Sequence, residues 1–208
     1  MSNQPFVVDL NFFLCGRSLP ADHGYPLYSA LTRVCPDLHR TGDWSMRTVS
    51  GMPDRCGALL LGERSHLRLR VPQERIATAY ALAGKRLDVS GHVIRLGIPL
   101  ASMLKPARNL RTRMAVIKGY QNPDAFLDAA KRQFYRLGAS GKLDLARNAD
   151  GKPVQKIIKI RGYKVIGFGL RASELDDSSA LALQEHGLGG RQRMGCGVFT
   201  PVLQEGAA

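Results

Sequence analysis

Histidine is the side chain of this sequence best suited to proton transfer near neutral pH, and two histidines flank the first predicted helix. His23 stands in "PADHGYPLY", the loop that enters this helix, where backbone N–H groups can hold a phosphate and the helix terminus disfavours the imidazolium. A histidine in such a loop can be exposed and act as a general acid or base; on position alone, the alternative is a capping or merely surface histidine. Tyr28 on the helix, His39 after it and Lys105 are further candidates.

Metal-free cleavage of RNA is the chemistry that such histidines could perform. In this reaction the neighbouring ribose 2′-hydroxyl attacks the phosphate, assisted by a general base, a general acid and cations. The carboxylates that could hold a metal are concentrated in segments such as "SELDD", where a helix cap needs them. The four cysteines form no paired C-x-x-C spacing, so they predict neither a zinc cluster nor a disulfide framework. We expect no metal and no cofactor.

A second stretch with chemical character is "HGLGGRQRMGCGVF", at residues 186–199. It combines two arginines with five glycines: Arg191, Arg193, Gly187, Gly189, Gly190, Gly195 and Gly197. Glycine permits positive φ and close approach to the backbone, and arginine offers a planar fork of donors that suits phosphate. The stretch predicts an anion held against the backbone; the alternative is a flexible loop before the last strand.

The charge of the chain also indicates a polyanionic partner, with nucleic acid ahead of a membrane surface. Lysines and arginines number 30 against 17 acids, which gives a net charge of +13. Residues 103–120 and 151–173 carry basic residues and no acid, whereas a merely solvated face usually mixes signs. The residues that we expect to bind RNA are Lys105, Arg108, Arg111, Arg113, Lys118, Lys131, Arg132, Arg161, Arg191 and Arg193.

One short segment, "RGYKVIGF" at residues 161–168, matches part of an RNA-recognition signature. Arg161, Gly162, Tyr163 and Phe168 fit the signature, but Val165 replaces one of its aromatic residues. A two-ring platform for stacking bases is therefore not supported, and the segment predicts only an RNA-facing strand.

The elements that must position these residues follow the order β-α-β-β-α-β twice. The second half contains a helix capped by Asn122, with Pro123 in its first turn and Gly138 at its end, and a later helix capped by Ser173. This order predicts an α+β fold of two tandem ferredoxin-like (RRM-like) domains with a C-terminal glycine-rich loop. We place the domains at residues 1–97 and 111–208, joined by a proline-containing linker at residues 98–110.

The sequence also bears on where the protein acts. No apolar run approaches the roughly 18 residues of a membrane-spanning helix, and the start "MSNQPFVVDLNFFLCG" lacks a basic region typical of a signal peptide. We expect a cytoplasmic protein with no membrane partner.

The combination of "DHGYPLYSAL", "LAGKRLDVSG", "TRMAVIKGY" and "GLGGRQRMGCGVF" resembles the CRISPR-associated endoribonucleases that cleave the repeats of precursor CRISPR RNA, and within them the Myxococcus-type subtype. The resemblance covers nearly the whole chain. It implies two ferredoxin-like domains, metal-independent cleavage at the base of a repeat hairpin, and products with 5′-hydroxyl and 2′,3′-cyclic phosphate ends. It also implies that His23 is the general acid or base and that the glycine-rich loop positions the RNA.

Two other functions fit the same basic patches. The first is a non-catalytic subunit that binds RNA hairpins within a CRISPR ribonucleoprotein, in which case other subunits of the effector complex are partners. The second is a DNA-binding or ribosomal protein. Only His23 favours an enzyme over the first of these alternatives at this stage.

Overall fold

The computed structural model describes residues 6–202, which form two compact units. Unit 1 comprises the chain up to Met103 together with Arg193–Gly195. Unit 2 comprises Leu104–Gln192 and the chain from Cys196 onward. Three residues of the glycine-rich stretch therefore belong to the unit that is otherwise N-terminal.

Unit 1 is built on an antiparallel sheet with helices in its connections. Its elements are β1 (Val7–Gly16), β2 (Ser18–Pro20), α1 (Gly24–Val34), α2 (Asp37–Thr41), β3 (Ser45–Arg47), β4 (Met52–Pro53), β5 (Ala58–Leu60), β6 (His66–Pro72), α3 (Ile76–Tyr80), β7 (Arg86–Val89) and β8 (His92–Met103). The main sheet has the order β3-β6-β1-β8-β7, and a smaller sheet has the order β2-β5-β4.

The core of unit 1 follows from alternation along β1. Val8, Leu10 and Phe12 are buried and share a core with Leu27 and Leu31 of α1. Because successive side chains of a strand point to opposite faces, this pattern fixes one face of the sheet against α1. The apolar spacing of α1 thereby determines which of its residues are left for the surface.

Unit 2 also combines an antiparallel sheet with helices. Its elements are β9 (Leu110–Ala115), α4 (Pro123–Arg136), β10 (Lys142–Leu145), β11 (Gln155–Ile160), β12 (Tyr163–Ser173), α5 (Asp177–His186) and β13 (Thr200–Pro201). The sheet order is β10-β12-β9-β13, and β11 pairs with β12. In its core, Phe126 and Phe134 of α4 join Phe168 and Leu170 of β12.

The α+β class expected from the sequence is confirmed by these antiparallel sheets and their connecting helices. The predicted helix after Asn122 is also confirmed. The Asn122 side chain accepts hydrogen bonds from the amides of Asp124 and Ala125, and Gly138 has φ +70° at the other end.

Two expectations about boundaries are wrong. Residues 98–103, expected to begin a linker, form the second half of β8, in which Pro99 lies opposite Phe12 and Met103 opposite Val8. The cap of α5 is Asp176, not Ser173, which ends β12. Hydrogen bonds from the Ser140 hydroxyl and the Ser179 amide hold the pKa of Asp176 well below its usual range.

Candidate active site and RNA-binding surfaces

Two residues that the sequence marked as candidates meet in unit 1. The hydroxyl of Tyr28 and Nδ1 of His39 are 2.8 Å apart and hydrogen-bonded. Tyr28 is 8% exposed, whereas His39 is on the surface. Within residues 6–202 no hydrogen bond uses Nε2 of His39. The imidazole is therefore oriented through one nitrogen, and the other remains available for proton transfer.

Local sequence explains why these two side chains meet. Pro36 follows α1 and starts α2, so the chain turns between the helices and brings His39 back over the helix that carries Tyr28. Gly42, with φ +72°, ends α2. Trp44 then stacks on Tyr28 and donates its indole N–H to the carbonyl of Leu38, which holds α2 in place.

His23 has a different environment from the one expected. It is 2% exposed; Nδ1 contacts the carbonyl of Pro20 at 3.0 Å, and Nε2 accepts a hydrogen bond from the amide of Val49 at 2.9 Å. Because Nε2 accepts, Nδ1 carries the proton and donates it to Pro20. The expectation of an exposed His23 is wrong, because its ring joins the entry of α1 to the segment after β3.

A depression of about 380 Å³ lies beside His39. It is lined by Ser29, Thr32, Arg33, Pro36, His39 and Arg40. Arg40 is paired with Asp37, while Arg33 has no ion pair among residues 6–202. Sequence reasoning missed Arg33 and Arg40. Ser29 and Arg33 are four residues apart and therefore lie on one face of α1, opposite its buried residues. This spacing in the sequence could have identified Arg33.

The glycines of the C-terminal stretch are packed tightly against backbone. A Cβ on Gly187, Gly189 or Gly197 would lie between 2.0 and 2.4 Å from a carbonyl oxygen, and all three have positive φ. The amides of Gly189, Gly190 and Gly197 donate to Gln133, Val116 and Met114. These N–H groups are therefore used by the protein itself, which contradicts the expectation that this backbone holds an anion.

The two arginines of this stretch differ. Arg191, with φ +64°, is exposed in unit 2. Arg193 is half-buried in unit 1, where its guanidinium donates to the carbonyl of His39 at 3.2 Å and lies 5.4 Å above the ring centre of Tyr28. Arg193 thus joins the group formed by Tyr28 and His39.

Basic residues of unit 2 cover part of its sheet. Arg111 and Arg113 are exposed at alternate positions of β9, and Arg171, also exposed, lies directly opposite Arg111 on β12. Arg171 was not among the expected RNA-binding residues, although it lies in the segment of residues 151–173, which contains basic residues and no acid. Asp144 of β10 pairs with Arg171 on its other side, so an acidic residue lies next to these arginines.

The remaining expected RNA-binding residues are also placed in unit 2. Lys105, Arg108 and Lys118 are exposed in loops on either side of β9, and Arg132 lies over the ring of Tyr120 and donates to its hydroxyl. Lys131 is half-buried on α4. Lys105 therefore belongs to a different unit from Tyr28 and His39.

The segment resembling an RNA-recognition signature begins in a turn. Arg161 and Gly162, both with positive φ, connect β11 to β12. Tyr163 is 78% exposed, but Phe168 is 1% exposed and packs on Phe126. Of the aromatic residues that match the signature, only Tyr163 is available to a base.

Among residues 6–202, neither a metal-binding cluster nor a candidate membrane-spanning helix is present. No cluster of three or more His, Cys, Asp and Glu side chains is arranged to hold a metal ion. No helix in this range is long and apolar enough to cross a membrane.

Comparison with known proteins agrees with the resemblance drawn from the sequence. The family model described as "Cas6 Crispr" matches residues 8–204. A protein of Myxococcus xanthus (strain DK1622) named CRISPR-associated endonuclease Cas6 is 37% identical over 194 residues, which cover 93% of this chain and 81% of that protein. The chain is thus a CRISPR-associated protein. It belongs to the Cas6 family, and the resemblance is confirmed.

Solved structures show the same fold over nearly the whole chain. A structure described as "CRISPR associated protein Cas6" has a TM-score of 0.64 and 12% identity, covering 96% of this chain and 100% of its own. A Cas6-related protein from Pyrococcus furiosus has a TM-score of 0.66 and 13% identity, covering 97% of this chain and 100% of its own.

Proposed function

We propose that this protein is a metal-independent endoribonuclease that binds the hairpin of a CRISPR repeat in precursor RNA and cleaves it by 2′-hydroxyl attack. Membership of the Cas6 family and the 37% identity to a protein named as an endonuclease support cleavage. The hydrogen bond between Tyr28 and His39 is the observation that supports this mechanism.

His39 takes the role that the sequence suggested for His23. The hydrogen bond with Tyr28 orients the ring so that Nε2 can carry out both proton transfers. With Nδ1–H donating to the Tyr28 hydroxyl, the neutral ring accepts the proton of the attacking 2′-hydroxyl at Nε2 and becomes an imidazolium. The imidazolium then gives the Nε2 proton to the leaving 5′-oxygen, which returns the ring to its neutral form. The attack forms a 2′,3′-cyclic phosphate as the bond to the 5′-oxygen breaks.

The depression beside His39 is where we place the nucleotide that is cut. Its wall carries Arg33, whose side chain is exposed and has no ion pair among residues 6–202. A cation there can stabilise the charge that develops on the phosphate. Ser29 adds a hydroxyl that can bond to phosphate or sugar oxygens.

The arginines on the sheet of unit 2 are proposed to bind the hairpin's phosphates. Arg111, Arg113 and Arg171 present three charges on adjacent strands, and Arg191 adds another from the glycine-rich loop. Phosphate contacts fix the orientation of the RNA, whereas base contacts at hairpin ends and loops would select its sequence. Other subunits of a CRISPR effector complex are expected partners of the processed RNA in the cytoplasm.

We also infer that each unit is a ferredoxin-like domain. Counting only the strands β1, β3, β6 and β8 in unit 1, and β9, β10, β12 and β13 in unit 2, both sheets have the order second-third-first-fourth. In both units, helices occupy the first and second crossovers. The repeated order supports an internal duplication of one β-α-β-β-α-β pattern.

One cleavage experiment tests the function. An end-labelled repeat hairpin from the protein's own locus is incubated with excess protein, with and without EDTA. We expect equal cleavage, with 5′-hydroxyl and 2′,3′-cyclic phosphate ends, and no cleavage of a hairpin with a 2′-deoxy sugar at the cut site. Inhibition by EDTA would refute metal independence. Binding without cleavage in either buffer would instead favour a non-catalytic RNA-binding subunit.

A further inference from the structure

Arg193 makes two contacts that a phosphate-binding arginine would not need. Its Nη1 atom donates to the backbone carbonyl of His39, and its guanidinium carbon lies 5.4 Å above the centre of the Tyr28 ring. The side chain is half-buried. One group thus contacts both members of the hydrogen-bonded pair, although Arg193 and His39 are 154 positions apart in the chain.

The backbone around Arg193 is held in place by close packing within unit 1. A Cβ on Gly24 would lie 2.5 Å from the carbonyl oxygen of Met194, and a Cβ on Gly195 would lie 2.5 Å from Cγ2 of Thr48. Met194 itself packs against the core of unit 1. Small displacements of this segment are therefore resisted by α1 on one side and by the segment after β3 on the other.

We propose that Arg193 is a positioning residue for the His39–Tyr28 pair and does not bind an RNA phosphate. The inference rests on the proposed function and deepens it. The flat guanidinium fixes the Tyr28 ring from one face by a cation–π contact, and Trp44 stacks on the same ring. Its hydrogen bond to the His39 carbonyl fixes the helix α2 that carries the imidazole.

This role differs in measurable ways from a phosphate contact. A residue that positions the imidazole affects the rate of the chemical step, whereas a phosphate contact affects affinity and the salt dependence of binding. Arg191, two residues away and exposed, provides the contrast, because we propose that it does bind phosphate. Arg86, exposed on the edge strand β7, provides a control outside both roles.

The first test measures single-turnover cleavage and hairpin binding for Arg193→Ala, Arg193→Lys and Arg86→Ala. We expect Arg193→Ala to cleave about 10-fold more slowly, as befits loss of a hydrogen bond and a cation–π contact. Its affinity and salt slope should be unchanged. Arg193→Lys should recover part of the rate because a cation remains over the ring, and Arg86→Ala should match the wild type. Added guanidinium ion, at a concentration that does not denature the protein, should raise the cleavage rate of Arg193→Ala but not that of the wild type or of the other two variants.

Arg191→Ala should instead bind more weakly, with a slope of log affinity against log salt shallower by roughly 0.7–0.9. If Arg193→Ala shows that same pattern with a normal rate at saturation, Arg193 is a phosphate contact and the proposal is overturned. It is equally overturned if Arg193→Ala equals the wild type in rate, affinity and slope.

A second measurement separates this proposal from the proposed function. The NMR signals of the His39 ring, assigned with His39→Ala, should shift in Arg193→Ala while those of His92 stay in place. Unshifted His39 signals would refute the positioning role whatever the activity. Shifted signals in a protein that cleaves no RNA would leave the positioning role standing and refute the proposed function.

Discussion

His23 stands at the start of α1 and His39 on α2, the short helix that follows α1, and of the two only His39 has a ring nitrogen available for chemistry. His23 uses both nitrogens on backbone groups, at Pro20 and Val49, and is almost fully buried. His39 uses one nitrogen on Tyr28 and is exposed. The residue type is the same in the two cases, so the difference lies in the groups that the fold packs against each ring.

The largest expected effect is that of removing the exposed histidine. His39→Ala should lower the single-turnover cleavage rate by ~10²–10⁴, the usual loss when a general acid or base is deleted. Hairpin affinity should stay within about threefold, because few phosphate contacts are lost. His186→Ala, which removes an exposed histidine of unit 2, is the matched control and should cleave normally. Normal cleavage by His39→Ala would refute its proposed role.

The buried histidine should matter for folding instead. His23→Ala leaves the buried amide of Val49 and the partly buried carbonyl of Pro20 without this partner, at a cost of about 1–3 kcal/mol for the amide and less for the carbonyl. Thermal and urea unfolding should show this loss, and His23→Gln, which retains an acceptor and a donor, should lose less. A His23→Ala protein as stable as the wild type but inactive would return the catalytic role to His23.

This contrast also marks the limit of sequence reasoning. The helix after Asn122 could be predicted because its cap, first-turn proline and final glycine all lie within one local segment. The burial of His23 could not, because its partner Val49 is 26 residues away and nothing near His23 encodes that contact. The same holds for Arg193, whose arginine identity suggested phosphate while its contacts are with His39 and Tyr28.

Errors at boundaries have a similar cause. Prolines suggested that a linker begins at residue 98, but pairing with β1 extends β8 to Met103. Ser173 and Asp176 are both residue types that cap helices; pairing with Lys142 places Ser173 in β12, and Asp176 accepts the hydrogen bond of the Ser179 amide. Local signals identify candidates for such positions, and pairing between distant segments selects among them.

A smaller effect should separate orientation of His39 from its chemistry. Tyr28→Phe removes the hydroxyl that contacts Nδ1 but keeps a ring that can contact Trp44 and Arg193. Loss of one hydrogen bond predicts a rate roughly 3–10-fold lower, with unchanged stability within about 1 kcal/mol. Single-turnover kinetics and thermal unfolding measure both. A loss as large as that of His39→Ala would mean that Tyr28 itself transfers a proton.

The smallest expected effect concerns the arginines on the sheet of unit 2, which take no part in the chemistry proposed for His39. Arg111→Ala should weaken hairpin binding a few-fold and make the slope of log affinity against log salt shallower by roughly 0.7–0.9, because one phosphate contact is lost. Asp144→Asn is the control of opposite sign: it removes the acid that lies opposite Arg171, so affinity should rise. Both effects should be similar for hairpins of different sequence, and neither should alter cleavage at saturating protein.

If neither substitution changes affinity or slope, the arginines on this face are merely solvated and the RNA lies elsewhere. If Arg111→Ala relaxes discrimination among hairpins at constant slope, Arg111 reads bases at the end or loop of the hairpin, where A-form geometry leaves them accessible.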